Sequence, residues 1–401
     1  MISFCISAQS KLSITEYDTI EDVAHVWDIL LPSTHSLRSP NLRVLEVAKP
    51  DSMIFKYLMV KKNDVLIGAV YLQHLKITTN HFNGTSIDKP GLGWLKKCVN
   101  SRFSDVLICG NLFRIHFPSF YFKNPKHDEL IFEILNDYLN SDKSNQRFCG
   151  ILLKDCEYPF IKTEKFKPYH DDVTMEIEIR PEWVSFEEYK KSLSKKYKQR
   201  CNKILKSGEI LSIKELSIEV IFENALQIEK LYLNVALKQS LRIGFVNAAY
   251  FIEMKRRHGH SFIFKGYYLN EQLVAFSSHI LYENNTMEIH FIGLDYHFNE
   301  SHSLYFNILF DGLKMAIDKK IKRLELGRTA RIAKASIGAQ PVEVYNYIFL
   351  RKGIPSLAFY FFNNWFVKNM GEDWKQRNPF KILPIIPIPV ESENSFGSHQ
   401  P

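Results

Sequence analysis

The chain has 401 residues, which is longer than one ordinary hydrophobic core accommodates, so the length favours two domains. Its hydrophobic content of 45% and charged content of 24% are typical of a soluble globular protein. The net charge of +8 is compatible with an anionic ligand, a membrane surface or RNA, and also with a solvated, lysine-rich surface. No run of about 18 apolar residues occurs, so the sequence predicts no transmembrane helix.

The cysteines and the first residues favour a cytoplasmic protein. The opening MISFCISAQSK lacks the basic and apolar regions of a signal peptide. The six cysteines form no C-x-x-C pair, so they are expected to be buried thiols in a reducing compartment. Two histidines in RRHGHS (256–261) have no third ligand at a metal-binding spacing, and no metal site is predicted.

Hydrophobic periodicity in the first half predicts both helices and strands. The polar residues 61–64 lie between two strand-like runs and indicate a hairpin turn. In chain order, the predicted elements are a helix at 21–31, a hairpin at 55–77, a strand at 105–111, a helix at 127–141, and strands at 147–155 and 173–179.

The pattern restarts near residue 181. Ser185 and Glu188 form a capping box that predicts one helix from 187 to Gly208. The elements that follow are helices at 218–240 and 251–259, a hairpin at 262–283, a strand at 286–296, a helix at 303–320, and strands at 321–327 and 342–352. Both halves give helix, hairpin, strand, helix, strand, strand, which predicts a duplicated α/β unit.

The predicted organisation has three parts. Residues 1–180 form an N-terminal unit, residues 181–355 form a C-terminal unit that is expected to hold the active site, and residues 356–401 form a tail. The tail interleaves aromatic residues with lysine and arginine and ends in a Pro-rich stretch. This composition suits a membrane interface, and the alternative is a tail that packs across the two units.

The element order resembles that of the GNAT acyltransferase fold, and its duplication resembles the bacterial tandem-GNAT, Fem-like proteins and the CelD-like acetyltransferase domains. The resemblance is carried by SLSKKYKQRCNKILKSGE (192–209), by the strand, helix and strand of 291–329, and by IAKASIGAQPVEVYNYIFLRK (332–352). It implies the α/β fold class, with two tandem GNAT-like domains, each a mixed, mostly antiparallel sheet flanked by helices.

The resemblance also implies a reaction, in which an acyl group moves from a thioester donor to a primary amine. The donor would be acyl-CoA or acyl-carrier protein, used as a substrate rather than as a permanently bound cofactor. Such chemistry needs a base that deprotonates the ammonium, donors that hold the oxyanion, and a site for the donor's phosphates.

Candidates for the base lie on the strand at 286–296. Glu288 and His290 alternate to the same face, and Asp295 ends the strand. Histidine is the side chain whose charge ordinarily changes near neutral pH. Tyr296 and Tyr305 are the alternative candidates for the general acid. In the alternative interpretation the histidine is an ordinary core residue, and the aspartate only caps the next turn.

The stretch LELGRTARIAKASIGAQP (324–341) is the first candidate for donor binding. Gly327 would let the chain turn with a positive φ or let a ligand approach the backbone. The guanidinium and ammonium groups that follow suit phosphate or carboxylate, unless they pair with Glu325 or Glu343 and only hold the loop. The candidate binding residues here are Arg328, Thr329 and Lys334.

The expected phosphate loop departs from the family pattern. Single-domain GNAT proteins carry a Q/R-x-x-G-x-G/A loop before the central helix, whereas residues 296–303 here read YHFNESHS and contain no glycine. Backbone amides at the helix terminus remain available in principle. The side chains expected to assist them are Ser301, Ser303 and Tyr305.

The predicted function is therefore an N-acyltransferase that acts on an amino sugar, an amino acid or a long-chain lipid amine. The aromatic content and the tail favour a long chain, as in ceramide-type or N-acyl lipid synthesis, with peripheral contact to membrane lipid at the inner face. One alternative is a Fem-type aminoacyl-tRNA-dependent ligase that uses the basic helix at 188–206, although no helical arm is present, and tRNA is not the expected partner. The other alternative is a non-enzymatic GNAT-fold binding protein. No DNA partner is expected.

Overall fold

The computed structural model describes residues 2–7, 12–50, 53–76, 105–141, 148–156, 158–160, 166–169, 173–238, 245–350 and 376–381. Most of the predicted tail lies outside the described residues. Among the described residues, no helix has the length and apolarity needed to cross a lipid bilayer.

Within the described part of the chain, the first sheet contains nine strands. Its order is β1-β2-β3-β4-β5-β7-β16-β8, with β6 alongside β4. Neighbouring strands are antiparallel except for β5 and β7, which run parallel. The strands are β1 (Ile2–Ser7), β2 (Leu12–Tyr17), β3 (Ile54–Lys62), β4 (Val65–Lys76), β5 (Asp105–Cys109), β6 (Phe120–Phe122), β7 (Phe148–Cys156), β8 (Lys167–Tyr169) and β16 (Tyr345–Leu350).

The second sheet contains seven strands in the order β10-β11-β12-β13-β14-β9-β15. Here too a single neighbouring pair, β13 and β14, is parallel. The strands are β9 (Val173–Glu178), β10 (Ser212–Glu215), β11 (Phe262–Leu269), β12 (Gln272–Tyr282), β13 (Thr286–Leu294), β14 (Arg323–Glu325) and β15 (Gln340–Glu343).

Helices flank both sheets. They are α1 (Ala24–Leu30), α2 (Ser39–Ala48), α3 (Leu130–Ser141), α4 (Phe186–Ser192), α5 (Lys195–Ser207), α6 (Ile218–Glu223), α7 (Ala225–Ala236), α8 (Ala248–His258), α9 (Tyr296–His302), α10 (Leu304–Asp318) and α11 (Arg331–Ala335). In each sheet, an antiparallel run leads to one parallel pair and then to antiparallel strands. The predicted fold class, α/β with two mixed and mostly antiparallel sheets flanked by helices, is confirmed.

The two sheets exchange strands. Strand β9 precedes residue 181, yet it pairs with β14 and β15 in the second sheet. Strand β16 comes from the end of the predicted second unit, yet it pairs with β7 and β8 in the first sheet. The predicted division at residues 181 and 355 stays a prediction, and the sheets do not follow it.

Two predicted long helices are each broken into two. The basic helix stops at Ser192 and resumes at Lys195, because residues 376–381 cross it there: the Ser194 amide donates to the Pro379 carbonyl at 2.8 Å, and Lys381 N donates to Ser192 O at 2.9 Å. The predicted helix at 218–240 breaks at Asn224. The cap at Ser185 forms as predicted, since its side chain accepts from the backbone amide three residues later.

One hydrophobic cluster extends across both units. It joins Trp27 and Tyr71 of the first unit to Phe251 and Phe264 of the second. Between the units lies the segment 110–118, which follows β5. The ring of Phe113 in this segment lies 6.2 Å from that of Tyr250 on α8. Because apolar burial is shared in this way, we expect the two units to unfold together.

Candidate functional site

Strand β14 pairs along its whole length with β13, but it reaches only the first three residues of β13. Thr286–Glu288 face Arg323–Glu325 in parallel register, and beyond that point β13 pairs with no strand on this side among the described residues. A bulge lies at the same place, since Ser278 faces Phe291 while the next residue of β12 faces Ile289. His290 is therefore the extra residue in β13. In the first unit, β5 pairs with β7 along its whole length.

Three glutamates form a row across the second sheet at the point where these strands diverge. Glu288 on β13 is in register with Glu325 on β14, which is in register with Glu176 on β9. Residues in register on neighbouring strands project from the same face of a sheet. All three carboxylates are buried, with 3%, 3% and 7% exposure respectively.

The segment 110–118 of the first unit covers this row with two cationic side chains. His116 Nε2 lies 3.1 Å from Glu176 Oε1 and 3.1 Å from Glu325 Oε2. Burial lowers the pKa of His116, but the two carboxylates outweigh it and raise that pKa to about 10. The other oxygen of Glu325 accepts from the Thr174 hydroxyl and from the Gly327 amide.

Arg114 covers the other end of the row. Its guanidinium lies 5.4 Å from the centre of the Tyr282 ring and 4.9 Å from that of Phe117, and it donates to Asn41 at 3.2 Å. Burial lowers the pKa of Arg114, while Tyr282 and Glu288 are among the groups that raise it, and the net shift is upward. The arginine is therefore a buried positive charge beside Glu288.

Glu288 and His290, which the sequence is expected to place on one face of the strand, form a hydrogen-bonded pair. His290 Nδ1 lies 2.9 Å from Glu288 Oε1, and its Nε2 lies 2.8 Å from the Tyr250 hydroxyl. The second carboxylate oxygen accepts from the Tyr282 hydroxyl at 2.6 Å. Burial raises the pKa of Glu288, but its partners outweigh burial, so the pKa lies below its ordinary value. Glu288 is thus a carboxylate, which accepts hydrogen bonds only.

A second histidine lies near this pair. Burial lowers the pKa of His258 to about 3, with further contributions from Arg114, Arg257 and His290. Its Nε2 atom is buried and has no hydrogen-bond partner among the described residues. A neutral imidazole with one open nitrogen is able to accept or donate a hydrogen bond to a ligand group.

The other two predicted catalytic residues lie elsewhere. Asp295 caps α9, where its side chain accepts from the amide of His297 at 3.0 Å. The Tyr296 ring lies 3.1 Å from the ammonium of Lys238. Asp295 lies five positions after His290 along an extended segment, which corresponds to roughly 16 Å. The structure therefore groups Glu288 with His290 and does not bring Asp295 or Tyr296 to them.

The predicted phosphate-binding side chains lie where α9 meets α10. Ser303 adopts a left-handed conformation between the two helices, and Ser301 donates to a carbonyl of its own helix at 3.3 Å. The amide of Tyr305 donates to the side chain of Asn299 at 3.0 Å. Asn299 thus occupies one of the amides that a phosphate would use at the start of α10.

Of the two candidate cations after β14, Arg328 contacts the other unit and Lys334 holds its own loop. Arg328 Nη2 donates to Asp155 Oδ1 at 2.5 Å, and Asp155 also pairs with Lys154. Burial raises the pKa of Asp155, but these cations outweigh it and lower the pKa below its ordinary value. Lys334 donates to the Gly327 carbonyl at 3.1 Å.

Gly327 turns the chain after β14. Its φ of 84° confirms the expected positive φ, and only glycine adopts that conformation at no steric cost. Thr329, two residues further, is exposed. The partner of Arg328 is thus an aspartate of the other unit rather than the nearby glutamates considered from the sequence.

Sequence reasoning missed the residues that complete the site from other parts of the chain. They are Asn41, Arg114, His116, Asp155, Glu176, Tyr250, His258 and Tyr282. No local pattern marks them: Arg114 and His116, for example, lie in the irregular segment 110–118 that follows β5. Their partners are set by the contact between units, which a local pattern does not encode.

The two sheets and their flanking helices define an α/β chain of two mixed, mostly antiparallel sheets, which is the architecture that the resemblance found in the sequence implies. No protein-family model matches the sequence, and no curated protein matches it. Solved structures that resemble this chain include a Fem-type protein and a tandem-GNAT protein, the two types named in the sequence resemblance.

Three of these structures illustrate the likeness. FemX has 9% identity and a TM-score of 0.48, over 87% of this chain and 99% of its own. A probable N-acyltransferase from Enterococcus faecalis V583 has 10% identity and a TM-score of 0.47, over 87% and 74% respectively. A tandem GNAT protein from the clavulanic acid biosynthesis pathway has 9% identity and a TM-score of 0.44, over 85% and 99%. At these identities the likeness concerns the fold, and no activity is carried over.

Proposed function

We propose that this protein is an N-acyltransferase that moves an acyl group from an acyl thioester to a primary amine. The observation that carries the proposal is the coincidence of three features at one point of the second sheet. Strand β13 loses its neighbour, its bulge falls at His290, and His290 is paired with Glu288. An open strand edge beside a histidine–carboxylate pair is suited to holding an extended donor next to a base.

The open edge of β13 is the proposed donor site. Unpaired backbone N–H and C=O groups of a strand bind extended chains that carry amides, by adding them as a further strand. The arm of CoA or of acyl-carrier protein is such a chain. A backbone N–H at this edge would also stabilise the oxyanion that develops when the thioester is attacked.

His290 is the proposed base, acting through Tyr250. When the imidazole is neutral, its Nδ1–H donates to Glu288, and its Nε2 accepts from the Tyr250 hydroxyl. As the amine attacks the thioester carbon, the Tyr250 oxygen would take the ammonium proton while it passes its own proton to Nε2. Glu288 would then stabilise the imidazolium, and the thiolate would leave with the donor arm.

Arg114 and His258 are proposed to position the acceptor. Arg114 belongs to the first unit and lies beside Tyr282 and Glu288 of the second. The proposed site therefore needs both units. The open nitrogen of His258 is proposed to bind a polar group of the acceptor. An amino sugar, an amino acid or a polar lipid amine each offers such a group beside its amine.

The donor's phosphates need a binding site of their own. Ser301, Ser303 and Tyr305 at the start of α10, and Arg328, Thr329 and Lys334 after β14, stay predictions for this role, as do Asp295 and Tyr296 for catalysis. Asn299 already uses one of the α10 amides. We therefore propose that the donor arm contributes more to binding than its phosphates do.

The proposal is tested by mixing the protein with acetyl-CoA or palmitoyl-CoA and a panel of amines, and measuring released thiol and acylated amine. We expect thiol release that depends on the amine, and a loss of at least a hundredfold in kcat for His290→Gln. The control is His74→Asn, which removes a second histidine–carboxylate pair, 2.8 Å long, in the first unit. If His290→Gln retains full kcat, the proposed base is wrong.

A Fem-type aminoacyl-tRNA-dependent ligase is the second candidate, because every charged residue of α5 is a cation and these cations are exposed. The helix contains no acidic residue, and its exposed cations are Lys195, Lys196, Lys198, Arg200, Lys203 and Lys206. Phosphate contacts from such a face make binding fall steeply with salt. Binding of total tRNA that stabilises the protein, with no stabilisation by any CoA thioester, would favour this candidate.

A further inference from the structure

Between the two units, one histidine and two glutamates converge. His116 comes from the segment 110–118 of the first unit, while Glu176 and Glu325 come from neighbouring strands of the second sheet. One ring nitrogen and one oxygen of each carboxylate lie within 4.8 Å of one another. Among the described residues, this is the one such group of three metal-binding side chains.

The three atoms have the spacing of ligands around a single ion. His116 Nε2 lies 3.1 Å from each of the two oxygens. With an ion bonded at about 2.1 Å to the nitrogen and to each oxygen, both nitrogen–ion–oxygen angles would be about 95°, close to the angle between neighbouring ligands in octahedral coordination. A single N–H, in contrast, points well at only one of two oxygens.

The surroundings orient the carboxylates for such an ion. Both hydrogen bonds to Glu325 from neighbouring groups, those of Thr174 and the Gly327 amide, go to Oε1, so Oε2 is directed toward the histidine. Outer contacts of this kind fix the orientation of metal ligands. The second oxygen of Glu176 lies 3.5 Å from Arg323 Nε.

The site is accessible from solvent. Both carboxylates are buried, but the side chain of His116 is 45% exposed, so an ion would enter past the imidazole. Three protein ligands leave coordination positions open for water. One imidazole and two carboxylates suit divalent first-row transition ions.

We propose that His116, Glu176 and Glu325 bind a divalent transition-metal ion, with Zn²⁺ or Mn²⁺ as the expected class, and that this ion links the two units. The proposal differs from the sequence prediction of no metal site, because the ligands come from three distant parts of the chain. It is independent of the acyl transfer proposed above, and its test does not use activity.

The test uses the full chain, treated with EDTA and dialysed, and titrated with ZnCl₂ and with MnCl₂ in a calorimeter. We expect one ion per chain with a Kd of about 10 µM or tighter for at least one of the two metals, and a melting temperature that rises with its concentration. His116→Asn should weaken binding at least tenfold. Because His116 is half exposed, this variant should fold, which circular dichroism verifies.

His74→Asn is the matched control, since His74 pairs with Asp105 in the same unit, and among the described residues this pair belongs to no group of three metal-binding side chains. It should bind the metal as the parent chain does. The proposal is overturned if the parent chain binds neither metal more tightly than about 100 µM. It is also overturned if His116→Asn binds as tightly as the parent, because the ion would then lie elsewhere.

Discussion

The pair between Arg328 and Asp155 is expected to stabilise the contact between the units, and the substitution Arg328→Gln tests this. Asp155 is fully buried at its side chain, and the arginine is 19% exposed, so solvent does little to screen the charge that remains. Removing one partner of a buried ion pair costs about 3–5 kcal/mol. Lys154 still pairs with Asp155, so we expect a smaller loss, of about 2–3 kcal/mol.

The assay is urea unfolding of the ligand-free protein, with Asp155→Asn and the double variant completing a mutant cycle. The sum of the stability losses of the two single variants should exceed the loss of the double variant by at least about 1 kcal/mol, because both side chains belong to one network. Arg43→Gln, which breaks the more exposed pair with Glu21, should cost less than about 1 kcal/mol. A loss for Arg328→Gln no larger than this control would refute the reasoning.

Three further predictions concern burial, backbone geometry and the relay. Burial lowers the pKa of His279 to about 3, so the unfolded chain takes up a proton at this histidine at a higher pH than the folded chain does. The contribution of His279 to the free energy of unfolding should therefore fall as the pH drops below about 6.5, by about 2 kcal/mol at pH 5. The measurement is the urea midpoint as a function of pH for the parent chain and for His279→Gln. Gly338 has a φ of 108°, and a Cβ at this position would overlap the ring of Phe380, so Gly338→Ala should lower the melting temperature. Gly259→Ala is the control and should lower it less, because a Cβ at Gly259 would meet only open space. Tyr250→Phe keeps the ring but removes the hydroxyl that bonds His290, so it should lower kcat with little change in stability; equal kcat in both proteins would remove Tyr250 from the relay.

The strands and hairpins of each unit were predictable because their periodicity is local. The hairpin at 55–77 and the strand pair after residue 262 appear as β3–β4 and β11–β12. The broken helices were not predictable in the same way. Ser192 and Lys195 belong to a sequence that favours one continuous helix, and the break depends on a crossing segment nearly two hundred residues away.

The candidate site shows the same division between local and distant information. Glu288 and His290 lie on one strand, so their alternation sufficed to place them together. Arg114 and His116 reach the site from the other unit, and their role depends on how the two sheets pack. The exchange of β9 and β16 between the sheets is likewise a long-range pairing that residue patterns do not specify.

The proposed acyl transfer is tested most directly by following one turnover of a thioester in the presence of an amine. The parent chain and His290→Gln are mixed with acyl-CoA and the amine panel, and acylated amine is detected by mass spectrometry, with His74→Asn as the control. The account predicts acylated amine with the parent and with the control, and at least a hundredfold less with His290→Gln. Acylated amine formed at the same rate by His290→Gln would contradict the account.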